Sequence, residues 1–156
     1  MRSPAAVLLL SAGPGMDTRR ATDRDLESIR AFLQEAGLPV LPSNLPLSNV
    51  VVALDGNEVL GGIAFQVCAL SGLLCSAVVS PEHRRKGIGN SLMLSIIARA
   101  HELGLRDLYL LTERASGFFS SVGFQRIDRS EVPSEIRAAP EYKQQCADSA
   151  EAMQLT

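Results

Sequence analysis

The chain is 156 residues long, 46% hydrophobic and 21% charged, a length and balance that suit one globular domain and exclude a disordered segment. Its net charge of −2 supplies no general attraction for nucleic acid or an anionic membrane, and 4% aromatic content without Trp gives no base-stacking surface. No apolar run is long enough to cross a bilayer, so neither nucleic acid nor a membrane is expected as a partner.

Residues 1–15 combine Arg2, a short apolar run from Ala5 to Leu10 and the small residues Ser11-Ala12-Gly13, a loose imitation of a secretory leader. The run is short and its basic end weak, and Met16 opens a segment that reads as a natural domain start. Residues 1–15 are therefore read as a leader or extended start outside the core, and residues 16–156 as a single domain. Asp17 to Arg20 is compatible with an edge strand. Thr22-Asp23-Arg24-Asp25 then supplies a hydroxyl cap with an acid three residues on, and Leu26, Ile29, Leu33 and Ala36 recur at helical spacing until Gly37 and Pro39. Leu38 to Ser48 holds three prolines and reads as a loop or a single irregular turn.

Asn49–Leu54 and Glu58–Ala69 are apolar strands around the hairpin signal Asp55-Gly56-Asn57, and Leu73–Val79 is a third after Ser71-Gly72. Three strands joined by short turns predict an antiparallel meander. Gly89 opens a helix whose face is Leu92, Ile96, Ala100 and Leu103, and Gly104 stops it. Leu108–Leu111 follows as a buried strand, and strand, crossover helix and strand in this order predict a parallel pair inside a mixed sheet. Ala115–Val122 reads as a short helix, Phe124–Asp128 as a strand, and the polar tail with Pro133 and Pro140 ends in a short strand at 150–155. Cys68, Cys75 and Cys146 form no CxxC pair and cannot all be matched in disulfides, which points to free thiols in a reducing, cytoplasmic setting and to no metal site.

Between the third strand and the long helix stands Arg84-Arg85-Lys86-Gly87-Ile88-Gly89. A strand running into this loop and a helix leaving it aim backbone N–H groups at one spot with the helix dipole behind them, the makings of an anion site. Glycines let the backbone approach a bulky pyrophosphate, and the basic triplet supplies charge. The loop lacks both G-x-x-x-x-G-K-[ST] and a full G-x-G-x-x-G with a later ribose-binding acid, so it is neither a P-loop nor a dinucleotide fold.

Val79 to Gly89 resembles the coenzyme A-binding signature of the GNAT family of N-acetyltransferases: Gln or Arg, two residues, Gly, one residue, then Gly or Ala. Thr112-x-x-Ala115-x-x-Phe118-Phe119, closed by Gly123-Phe124, resembles the second segment of that family, and the likeness covers about Asp17 to Leu155. It implies the GNAT α+β fold: a mixed, mostly antiparallel sheet with splayed parallel central strands and flanking helices. Acetyl-coenzyme A is then the implied co-substrate. Its pantetheine arm would lie on Ala77, Val78 and Val79, and its pyrophosphate on the loop, with Arg84 for charge and the N–H groups of Arg85, Lys86, Gly87, Ile88, Gly89 and Asn90. Thr112 takes a position near the coenzyme where relatives often have Asn, and Phe119 one where they often have Tyr.

The implied chemistry is attack of a neutral amine on the thioester, with backbone N–H near Val79 for the developing oxyanion. Phe119 has no hydroxyl to protonate the leaving thiolate; it is either core or a coenzyme contact. Where many amino-acid acetyltransferases of the family carry Glu and Arg before the loop, this chain has Leu73 and Cys75, which leaves Glu113 as the candidate base. Glu82, His83 and His101 read as solvated. Phe118-Phe119 and the tail Ile127-Asp128-Arg129, Pro133, Ile136-Arg137, Glu141, Cys146 and Met153 resemble the arsenic-resistance-associated branch, close to the short amino-acid N-acetyltransferases. That implies a small-molecule amine acceptor, an amino acid or similar molecule, with Arg129 or Arg137 for its carboxylate; a homodimer is compatible. Two other readings stand beside it: a coenzyme A-binding module with little turnover, and an arsenite binder needing its three thiols close together.

Overall fold

The structure, a computed structural model, describes residues 16–39, 41, 45–145 and 149–156. Residues 1–15 and Cys146 lie outside the described residues. Strand β1 (Asp17–Arg20) leads into helix α1 (Asp23–Glu35), and a short 3-10 turn at Leu47–Asn49 precedes β2 (Val50–Asp55), β3 (Glu58–Cys68) and β4 (Ser71–Val79). Helix α2 (Ile88–Glu102) crosses to β5 (Asp107–Thr112), followed by α3 (Ser116–Ser121) and β6 (Gln125–Ile127). The tail forms α4 (Ser134–Arg137), α5 (Pro140–Gln145) and β7 (Glu151–Leu155).

The seven strands lie in the order β1-β2-β3-β4-β5-β7-β6, antiparallel except for the β4/β5 pair. The meander, the crossover helix and the mixed sheet thus follow the sequence reading. The tail adds two short helices to which the sequence reading assigns no element. Its prolines are helix openers here: Pro133 caps α4 and Pro140 is the first residue of α5, positions where a missing N–H costs nothing.

Period-two alternation divides the apolar residues between the sheet's faces. Val51, Ala53, Ile63, Phe65 and Leu74 meet Leu92, Met93 and Ile96 of α2 on one face. On the other, Val50, Val52, Ala64 and Val78 meet Ile29 and Leu33 of α1, while Leu73, Tyr109 and Ala152 meet Ile136 and Tyr142 of the tail helices. Close approach of α1 depends on Gly62, where a Cβ would stand 2.7 Å from Ile29 Cδ1. The entry to α1 is fixed by Asp25, which is 5% exposed, accepts from Thr22 N–H at 2.8 Å and from Arg19 Nη1 at 2.6 Å, and so ties β1 to the helix.

Candidate active site

Two irregularities build the site. In the β3/β4 ladder Ala64 faces Ser76 but Phe65 faces Leu74, so Cys75 is an extra residue, a β-bulge. A bulge bends its strand and shifts the alternation by one: Leu74, Ala77 and Val79 all reach the α2 side. The second irregularity stands beside it. The parallel ladder joins only Ser71, Gly72 and Leu73 to Asp107, Leu108 and Tyr109, and the rest of β4 has no paired residue on β5. The two central strands fork at the bulge.

Along that fork β4 keeps its pairing to β3 on one edge and has none to β5 on the other. Ser80 N–H donates to Leu60 O at 2.8 Å. By the alternation of antiparallel pairs, Ser76 and Val78 turn their N–H and C=O toward β3, and Ala77 and Val79 turn theirs into the gap. Arg84 Nε donates to Val79 O at 3.3 Å, so the first basic residue of the loop folds back onto the end of β4.

Beyond it the chain makes two left-handed turns, at Arg85 (φ 65°) and Gly87 (φ 82°), with Lys86 between them. Successive N–H groups in such a turn form an anion-binding concavity. Gly87 caps α2, whose first backbone bond runs from Ser91 N–H to Gly87 O at 3.1 Å, leaving the N–H groups of Ile88, Gly89 and Asn90 as orphan donors at its start. Arg84, Arg85 and Lys86 are exposed, Ile88 is core, and a Cβ on Gly89 would meet Phe118. These donors fit a pyrophosphate, and the free strand edges fit an amide-bearing arm.

The remaining expected residues are placed as follows. Thr112 Oγ1 accepts from Ala115 N–H at 3.0 Å and so holds the turn into α3. Phe119 is 7% exposed, set edge-on to Phe118 and Phe124 within the α2-side core. Glu113 is exposed at the end of β5 and accepts from Ser149 Oγ at 2.6 Å, which draws it toward β7. Arg129 Nη2 donates to Ala150 O at 2.7 Å, and Arg137 is exposed at the end of α4. Glu82 and His101 are exposed, whereas His83, expected to be solvated, is half-buried with its Nδ1 enclosed. Cys75 donates to Leu73 O at 3.3 Å, and burial pushes its thiol up to about 12. Among the described residues no group of three His, Cys, Asp or Glu side chains could hold a metal ion.

Residues 46–126, more than half of the chain, match the acetyltransferase (GNAT) domain family. The chain belongs to that family. Acetyl-coenzyme A is the family's co-substrate. This GNAT chain is 31% identical over 137 residues to the amino-acid acetyltransferase of Azotobacter vinelandii, covering 81% of the chain and 32% of that protein. It is 28% identical over 127 residues to the one from Aeromonas salmonicida, covering 75% and 28%. The chain thus spans about a third or less of the length of these relatives. Among solved structures it is similar to Neisseria gonorrhoeae N-acetylglutamate synthase complexed with coenzyme A and N-acetyl-glutamate, with a TM-score of 0.76, 21% identity and coverage of 92% of this chain and 35% of that one. A Mycobacterium tuberculosis protein solved with coenzyme A has a TM-score of 0.71 at 20% identity, covering 90% and 98%. These likenesses place the forked sheet in the GNAT fold.

Proposed function

We propose that this chain transfers the acetyl group of acetyl-coenzyme A to the amine of a small amino acid or amino-acid-like molecule. The observation that carries the reading is that β4 parts from β5 after Leu73 and leads into a loop with left-handed turns at Arg85 and Gly87, where α2 begins. This arrangement suits a ligand with an amide-bearing arm at one end and a pyrophosphate at the other. The matches to amino-acid acetyltransferases support the acceptor class.

The bound thioester supplies an activated acetyl carbon. Ala77 and Val79 would hold the arm by strand-like hydrogen bonds, and a backbone N–H of the fork would stabilise the oxyanion. Arg137, exposed on α4, is the candidate for the acceptor's carboxylate, with Arg129 beside the start of β7. The reaction is assigned to the cytoplasm, with a homodimer compatible. The tail's likeness to the arsenic-resistance-associated branch makes an amino-acid-like toxicant a further acceptor to assay.

A second reading, a coenzyme A-binding module with little turnover, is favoured by the core position of Phe119 and the engagement of Glu113 with Ser149. One experiment separates the two: amines and amino acids assayed for release of free coenzyme A. Release with an amino acid supports transfer. A protein that binds acetyl-coenzyme A and releases nothing with any amine is the module.

A further inference from the structure

Behind the Cys75 bulge, on the face away from α2, two buried oxygens face no donor. Glu141 of α5 is 7% exposed, and its Oε2 is enclosed without a hydrogen-bond partner. Gln66 Oε1, on β3, is enclosed in the same way. The helix that carries Glu141 packs on β4, the strand of Cys75, and Gln66 lies on β3, which pairs with that strand. Beyond the effect of burial, the Glu141 charge raises the Cys75 thiol, and the Gln66 backbone donates to its sulfur. Gln66 also stands opposite Leu73, which packs in one cluster with Tyr142, the neighbour of Glu141 in α5.

Buried polar groups are nearly always paired, and a buried carboxylate without a partner is costly. A carboxylate and an amide oxygen accept hydrogen bonds, so a cation with several N–H groups is a ligand that would satisfy them. The surroundings agree in sign. Burial raises the Tyr109 hydroxyl and the Cys68 thiol, with Asp107 and Glu135 adding to the first and Glu141 and Glu135 to the second. The position agrees as well, because Cys75 marks the apex of the fork, where the arm of a thioester ligand would end.

We infer that Glu141 and Gln66 seat the ammonium group of the acceptor and that Glu141 takes its proton. The inference rests on the transfer reading above. One proton passes from the ammonium to the Glu141 carboxylate. The freed nitrogen lone pair forms the new C–N bond to the acetyl thioester, and the C–S bond breaks. The second proton leaves the nitrogen and neutralises the departing thiolate, so acetyl amide and thiol are the products.

The test uses the full chain loaded with coenzyme A, heated with each common L-amino acid and with the des-amino acid of the same skeleton. At least one amino acid is expected to raise Tm while its des-amino counterpart does not. Glu141→Gln should abolish that shift with its own ligand-free Tm at or above wild type, since it removes an unpaired buried charge. Gln66→Leu should weaken the shift from the other side of the seat. In turnover Glu141→Gln should lower kcat/KM about 100-fold or more with acetyl-coenzyme A affinity unchanged. Equal amine-dependent shifts in wild type and Glu141→Gln, or none in wild type with any amine, would overturn the seat. Calorimetry with acetyl-coenzyme A alone reads the underlying step: no binding there would overturn the transfer reading, and the seat with it.

Discussion

Gly89 lies against the ring of Phe118: a Cβ there would stand 3.2 Å from Cζ and 3.3 Å from Cε1. Gly87 meets nothing within 4 Å but holds φ at +82°. The two glycines of one loop therefore serve different ends, the first a left-handed turn and the second a close fit between α2 and α3. Gly87→Asp should remove acetyl-coenzyme A binding from a folded protein, since it adds like charge at the phosphate cradle and about 1–2 kcal/mol of left-handed strain. Gly89→Ala should weaken binding by displacing Phe118, and Phe118→Leu in the same chain should restore it. Calorimetry on the three variants checks this; no rescue would separate Gly89 from Phe118.

Acetyl-coenzyme A should raise the melting temperature, because on the proposed reading it would bind the folded loop and not the unfolded chain. At a hundredfold excess over Kd the linkage is about 2.7 kcal/mol, which for a domain of this size is roughly 5–10 °C. NAD should give no comparable shift. A flat melting profile across saturating acetyl-coenzyme A would remove the central reading.

Phe119→Tyr places a hydroxyl among Phe118, Phe124 and the α2-side core. Without a partner there, the hydroxyl should cost about 1–3 kcal/mol and lower Tm while coenzyme affinity is kept. An unchanged Tm with higher turnover would show instead that this ring edge reaches the fork, on the leaving-group side.

Burial alone would raise the Asp25 carboxyl, but hydrogen bonds from Arg19 and Thr22 outweigh it and hold the group below the ordinary carboxylate range. A carboxyl depressed on folding contributes stability above its unfolded pKa and loses it as pH falls through the folded one. That contribution is therefore present at pH 5–7 and declines below about pH 4. With Arg19 at 46% exposure, solvent screening limits the ion pair to about 1 kcal/mol or less. Asp25→Asn should lower stability at neutral pH and flatten its fall in acid, as denaturant titrations from pH 7 to 3 would report. Identical acid profiles would mean the pair contributes nothing.

The Cys75 thiol, pushed up to about 12 and 7% exposed, should resist alkylation in the native protein at pH 8, because the thiolate is the nucleophile. It should react on unfolding. Peptide mapping after iodoacetamide treatment decides this, and rapid native labelling of Cys75 would show that the bulge opens.

The meander, the crossover helix and the turn at Gly87 were legible because their signals are local: alternation, the Asp55-Gly56-Asn57 turn, and glycines where the backbone must turn. The bulge at Cys75 carries no such mark, since an extra residue in β4 is defined only by its register against β3. Helices α4 and α5 were hidden because Pro133 and Pro140 stop a helix when internal and start one when first. Glu141 is a plain acid in a polar tail until α5 brings it beneath β4. Thr112 was recognisable as a position in a motif, whereas its bond to Ala115 needed coordinates.

Strand β6 reaches the sheet only through β7, which lies between it and β5. The pairing Thr112↔Glu151 closes a loop containing α3, β6, α4 and α5, so β5 keeps an unsatisfied edge until residues far downstream arrive. Contacts of such long sequence separation slow folding. During that interval β5 offers a bare, apolar template to any passing strand, which makes this half of the sheet the place where assembly is most exposed to mispairing.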